Sequence, residues 1–190
     1  MSENTGFKSL SQFTEYLSQY VDVNSWGVGG AKSPAELWNE LREGDSGLIK
    51  EDNGILRLTW PIFIDVLYHN QGTNYHCFEA ENKKGKFRPL PGTFAEKRHA
   101  NEDLNDAIRR TFNEEINDSL PKSGLSLRGS NLEFQNEWEE NTGARSYPGL
   151  QTRSINTLFG LTVSPNQGEP KPFTLVERNG ITKFDWKVQR

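Results

Sequence analysis

One amphipathic segment, from about Asp103 to Asn117, stands between stretches that read as strands, and that order constrains the fold most. Leu104, Ile108, Phe112 and Ile116 recur at i, i+4 spacing, which predicts a helix with this stripe in the core. Upstream, Trp60 to Tyr68 is strongly apolar and Tyr75 to Glu79 alternates, so two strands joined through Asn70-Gln71-Gly72-Thr73 fit best. Downstream, Ser154 to Val163 predicts a strand, and Phe173 to Glu177 with Thr182 to Val188 predict a closing hairpin about Asn179-Gly180. A helix held between strands implies mixed α and β structure.

Nearer the N-terminus, Phe7, Leu10, Phe13, Leu17 and Tyr20 predict a helix from about Leu10 to Tyr20. Ser33-Pro34-Ala35-Glu36 predicts the start of another, with Ser33 as N-cap, Pro34 at the first helical position and Glu36 closing a capping box. Leu37, Trp38 and Leu41 supply its buried stripe, and Gly44 ends it. Ile49 to Asn53 and Ile55 to Thr59 predict a short hairpin around Asp52-Asn53-Gly54.

At 190 residues the chain has room for one globular domain, with two small ones as the outer case. Only 33% of it is hydrophobic, so the core must lean on five Trp, eleven Phe and five Tyr. The formal charge of −4 disfavours a nucleic-acid coat, and no DNA partner is expected. The single cysteine, Cys77, cannot form an internal disulfide, and its alternating setting predicts a buried structural thiol. His69, His76 and His99 are scattered, with no zinc pattern and no hydrolase spacing to Cys77 or a serine. No apolar run approaches the ~18 residues of a membrane span. Met1-Ser2-Glu3-Asn4 lacks the basic and apolar regions of a signal peptide. The expectation is a cytoplasmic protein without a membrane partner, compatible with a homodimer.

The helix is also where chemistry concentrates. Thr111, Glu114, Glu115 and Asp118 are separated by three and four residues, which predicts that they cluster on the face adjoining the apolar stripe. Arg110 precedes Glu114 by four residues and can neutralise part of that charge. Two consecutive carboxylates with a third one turn on form an oxygen-rich set suited to a hard divalent cation, which would bridge to substrate phosphates. A solvated acidic face is the other reading of the same residues.

Leu90-Pro91-Gly92, then Glu102, seven intervening residues, Arg110, Phe112, Glu114 and Glu115 resemble the signature of the Nudix hydrolases. That signature runs Gly, five residues, Glu, seven residues, Arg-Glu-hydrophobic, one residue, Glu-Glu, one residue, Gly-hydrophobic. The close resemblance covers Leu90 to Asn117, and the coarse order of elements extends it from about Trp60 to Val188. It implies an α+β fold of the α/β/α sandwich type, a Nudix-like mixed sheet with helices on both sides. The domain expectation is a helical extension over residues 1–50, packed on a Nudix-like domain over 51–190.

The resemblance implies a hydrolase that cleaves a phosphoanhydride in a nucleoside diphosphate-linked small molecule with Mg²⁺, or with Mn²⁺ in its place. Glu114 and Glu115 would be metal ligands and Arg110 would orient them. Glu102 would brace the turn into the helix or add to the metal set. The chain departs from the signature at several positions. Glu96 stands where the first glycine belongs, and the nearest glycine, Gly92, lies ten residues before Glu102. Thr111 replaces the Glu after Arg110, and a hydroxyl cannot take a proton near neutral pH as a carboxylate can. Asn117 and Asp118 replace the closing Gly-hydrophobic pair. The alternative function is a non-catalytic Nudix-like module that binds a nucleotide or a protein.

Lys83, Lys84, Lys86 and Arg88 concentrate positive charge ahead of this segment, and Lys97, Arg98 and His99 do so within the long loop. They could meet a phosphate, or be a solvated turn. Beyond the helix lie a loop with Pro121 and Gly124 and an acidic stretch with Glu133, Glu137, Glu139 and Glu140. Glu137, Glu139 and Glu140 could supply a distant base, with solvated surface as the plainer reading. Trp138 and Tyr147 could stack on a base or fill the core. Gly27, Gly29 and Gly30 make no phosphate loop, because no Lys-Ser/Thr follows.

Overall fold

Helix-capping chemistry organises the first part of the chain. Helix α1 (Leu10–Ser18) starts where the Ser9 hydroxyl accepts from the Gln12 N–H, and it buries Phe13 and Leu17. Helix α2 (Pro34–Glu43) has the expected capping box, with Ser33 and Glu36 satisfying one another's main-chain N–H groups. It stops at Gly44, whose φ of 83° is a left-handed conformation that glycine adopts without steric cost. Strands β1 (Gly47–Glu51) and β2 (Gly54–Thr59) pair antiparallel from Gly47↔Leu58 to Glu51↔Gly54. Asn53, in the turn expected there, lies outside the described residues.

The computed structural model describes residues 6–52, 54–81, 91–165, 167–177 and 180–189. It divides into two units. The first joins the described residues up to Pro61 with Lys97–Asp103 and Trp138–Asn156. Its core gathers Phe13, Leu17, Trp26, Leu37, Leu48, Ile55, Tyr147 and Leu150. Trp26 and Tyr147 lie with ring centroids 5.0 Å apart, and the Trp26 indole N–H donates to the Pro148 carbonyl.

The second unit takes the described residues of Ile62–Glu96, Leu104–Glu137 and Thr157 onward. Strands β3 (Pro61–Asn70) and β4 (Thr73–Glu81) form the expected hairpin. Gln71 and Gly72 both have positive φ, 47° and 84°, as a two-residue turn matching the strand twist requires. Strand β5 (Phe94–Lys97) pairs with β3. Helix α3 (Leu104–Thr111), a π turn (Phe112–Ile116) and a short 3₁₀ turn (Leu120–Ser123) come next. Strands β6 (Asn131–Gly143) and β7 (Gln151–Val163) pair with one another, and β8 (Phe173–Glu177) and β9 (Gly180–Gln189) close the chain.

In this unit the strand order is β7-β3-β4-β9-β8, with β3 parallel to β7 and the other neighbours antiparallel. The fold is therefore mixed α and β, with an open mixed sheet and few helices. One sheet face carries the core: Ile64, Val66, Tyr68, Cys77, Phe159, Leu161, Val163 and Phe184, onto which Ala107, Ile116 and Leu120 pack. Cys77 is fully buried, and burial pushes its thiol above the ordinary range, reinforced by the Asp65 and Asp185 carboxylates. It is a structural thiol, not a nucleophile. Among the described residues no helix is long and apolar enough to cross a membrane.

Three elements differ from the sequence expectation. The acidic stretch from Glu133 to Glu140 lies within the 13-residue strand β6, and β5 occupies part of the loop before the helix. The helix itself is α only to Thr111. Gly92 also acquires a reason. A Cβ there would lie 3.0–3.1 Å from the N, C and O of Ile64, main-chain atoms at the centre of β3. Gly92→Ala is thus expected to cost about 1–3 kcal/mol through overpacking, read as a lower urea midpoint. Gly160→Ala should cost less, because the atoms closest to its Cβ belong to the movable Gln135 side chain.

Candidate functional site

The segment leading into α3 is fixed by its own polar groups. The His99 N–H donates to a Glu102 carboxylate oxygen at 3.0 Å, and the Glu102 N–H returns a bond to the His99 carbonyl at 3.0 Å. Glu102 belongs to the first unit, whereas Arg110, Glu114 and Glu115 belong to the second. In α3, Asp106 sits in the first turn and Arg109 and Arg110 in the last, the placement a helix dipole favours.

Thr111 does not join Glu114, Glu115 and Asp118 on an adjoining face. It is 0% exposed, and its hydroxyl donates to the Ala107 carbonyl at 2.9 Å, one turn back. From Phe112 the helix widens, and the Asn117 N–H bonds the Phe112 carbonyl at 2.8 Å, a five-residue step. Such a π turn admits an extra residue and rotates the residues after it relative to a regular α-helix. Ile116 then lies in the core, Glu115 is half-buried, and Glu114 and Asp118 face solvent. The core stripe shifts accordingly: Ala107, Thr111 and Ile116 are buried, while Leu104, Ile108 and Phe112 are only partly so. Asn117 keeps right-handed helical dihedrals, and the left-handed glycine turn falls at Gly124.

Arg110 does reach Glu114. Its Nη1 lies 3.5 Å from the Glu114 Oε2 and 4.0 Å from the Glu96 Oε1. Glu96, at the position where the signature has glycine, thus faces the same guanidinium from β5. Among the described residues, the donor set that the resembled signature would bring to Mg²⁺ or Mn²⁺ is not assembled. Glu114 is ion-paired, the Thr111 oxygen is spent on a main-chain carbonyl, and no group of three His, Cys, Asp or Glu is placed to hold a cation among the described residues.

The other charged and aromatic candidates belong to the first unit or to β6, or fall outside the described residues. Lys83, Lys84, Lys86, Arg88 and Leu90 fall outside them, as does Asn179. Lys97 and His99 point to carboxylates of the first unit, Lys97 to Glu40 at 3.8 Å and His99 to Asp45 at 3.4 Å. Tyr147 is fully buried in the first core and cannot stack on a base. Trp138 is half-buried on β6, and Glu137, Glu139 and Glu140 are exposed along it.

The densest polar cluster is one that sequence reasoning missed. Glu40, on α2, is 6% exposed and accepts from the Lys32 ammonium at 2.5 Å, the Arg57 guanidinium at 2.6 Å, the Ser46 hydroxyl at 2.9 Å and the Tyr147 hydroxyl at 3.0 Å. Burial alone would raise its pKa, but the Lys32 hydrogen bond and the Arg57 and Lys97 charges outweigh it and hold Glu40 at about 2. Burial pushes the Lys97 ammonium below its ordinary value. The Tyr147 phenol rises well above the usual range, first through burial and then through the Glu40 charge. A carboxylate engaged by so many donors cannot exchange protons near neutral pH, so the cluster holds structure together. The signal was present in sequence, because Glu40 follows Leu37 by three residues and so falls on the buried side of α2.

No family model and no curated protein sequence matches this chain.

Proposed function

We propose that the second unit is a divergent Nudix-like module that binds a nucleoside diphosphate derivative without hydrolysing it. Thr111 carries this reading. At the position where the resembled signature has a catalytic carboxylate, the side chain is a fully buried hydroxyl bonded to the Ala107 carbonyl. It can neither bind a metal from there nor take a proton from water. The Leu90 to Asn117 resemblance supports the ligand class. The parallel β3–β7 pair, with α3 drawn from the chain between them, is compatible with the α/β/α sandwich that the resemblance implies.

A hydrolase is the second reading. It is favoured by Glu114, whose side chain is 56% exposed beside Arg110. One experiment separates the two. ADP-ribose, a nucleoside diphosphate sugar, a dinucleoside polyphosphate and an NTP are each titrated by calorimetry, with and without Mg²⁺ or Mn²⁺. The same mixtures are then incubated and resolved by chromatography. The expected result is saturable binding of at least one compound and no product. Metal-dependent product that disappears in the Glu114→Gln, Glu115→Gln double variant would establish the hydrolase instead. No binding by any compound would overturn both readings.

A further inference from the structure

Within the second unit, the sheet face turned away from the core carries its own row of polar side chains. Because paired residues point to the same side of a sheet, the register places Thr162, Leu67, His76 and Lys187 in one row. Two residues further along each strand, His69, Asn74 and Gln189 form the next. A cleft of about 230 Å³ opens here, with Leu67, His69, Asn74, Thr162 and Gln189 in its lining.

Two histidines give this face fixed geometry. The Gly72 N–H points at the His69 Nε2 at 3.3 Å, so that nitrogen accepts and Nδ1 carries the ring proton. His69 Nδ1 then donates to the Asn74 Oδ1 at 2.8 Å, which occupies the amide oxygen and turns the Asn74 NH₂ outward. In the neighbouring row, His76 Nε2 meets the Asp65 Oδ1 at 2.5 Å, and the other carboxylate of this face, Asp185, accepts from the Trp186 N–H at 2.7 Å. Asn74 and Gln189 are directly paired across β4 and β9, and the exposed Lys187 lies two residues from Gln189 on the same face.

We propose that this cleft binds a small oxyanion, a phosphoryl or carboxylate group. The paired Asn74 and Gln189 amides donate hydrogen bonds to it, and Lys187, on the same strand as Gln189, supplies the countercharge. The volume decides the size class: it is below the roughly 300–1,000 Å³ of pockets that enclose drug-sized ligands, so it admits one such group rather than a whole nucleotide. The site lies on the opposite sheet face from α3 and stands independently of any activity of that helix.

The test is a titration of ¹⁵N-labelled protein at constant ionic strength with inorganic phosphate, with succinate and with glycerol in separate series. The side-chain amide signals of Asn74 and Gln189 should shift saturably with phosphate or succinate, and the more effective of the two identifies the source of the oxyanion. Asn74→Asp keeps the acceptor for His69 but puts a negative oxygen where the NH₂ was, and should weaken binding by at least about tenfold. Lys187→Gln, at an exposed position, should also weaken it, and it carries the test should Asn74→Asp not fold. Amide signals that stay fixed, equal shifts with glycerol, or undiminished affinity in the folded variants would overturn the proposal.

Discussion

Replacing Glu40 with Ala is expected to lower the unfolding free energy by about 3–5 kcal/mol, the range for removing one partner from a buried ion pair. The expected size reflects the groups left behind. Lys32, Arg57 and Lys97 would lose their shared carboxylate, and the Ser46 and Tyr147 hydroxyls their acceptor. Glu40→Gln should recover part of the loss by restoring volume and one acceptor, so the difference between the two variants isolates the charge.

Acid should reproduce the same loss in the native chain. The folded pKa of about 2 lies below the ordinary 4.5, so the stabilisation is complete above pH 4.5 and is lost as pH falls toward 2. A displacement of that size corresponds to roughly 3 kcal/mol. Urea denaturation at a series of pH values should show the native protein and Glu40→Ala converging in acid. Two curves that stay parallel from neutral pH down to about pH 2 would remove Glu40 from this role.

Thr111→Glu is the second large effect. The substitution introduces the carboxylate that the resembled Nudix signature has at this place, and the structure gives it nowhere to go. Thr111 is fully buried against the core of the second unit, so an ionised Glu would have to lose its water or the helix would have to open. A cost of at least about 3 kcal/mol is expected, from the several-unit pKa rise that buried carboxylates undergo. Thr111→Val should stay within about 1 kcal/mol, because it keeps the shape and drops a hydroxyl that donates to a carbonyl of its own helix. Thermal melts with and without Mg²⁺ read both. If Thr111→Glu folds as stably as the native protein and gains a Mg²⁺-dependent rise in Tm, the helix faces a solvated cleft at this position, and the binding-only reading fails with it.

What could be read from sequence was governed by how local its cause is. The capping box at Ser33–Glu36 and the Gln71-Gly72 turn are fixed by neighbours within a few residues, and both were legible. The start of α3 was legible for the same reason. Its π turn was not, because an i, i+4 stripe from Leu104 to Ile116 assumes an unbroken α-helix, whereas the main chain slips by one residue after Thr111. Strand β6 was hidden by its charges. Leu132, Phe134 and Trp138 alternate with polar neighbours, but most of its 13 residues face solvent and read only as an acidic stretch. For Glu40 the spacing from Leu37 signalled the buried side of α2, but not what it meets there. Its partners Arg57, Lys97 and Tyr147 come from distant parts of the sequence, and only the fold brings them together.

The same β6 bears on how these molecules behave in a crowded solution. Among the described residues it pairs only with β7, which leaves the other side of a long strand as a template onto which a second chain could add. Exposed Glu133, Glu137, Glu139 and Glu140 line that strand and set like charge against like when two copies approach edge to edge. Those carboxylates act as a guard against fibre-like stacking. The guard weakens once the medium approaches the sequence pI of about 5.5, where overall repulsion between molecules vanishes.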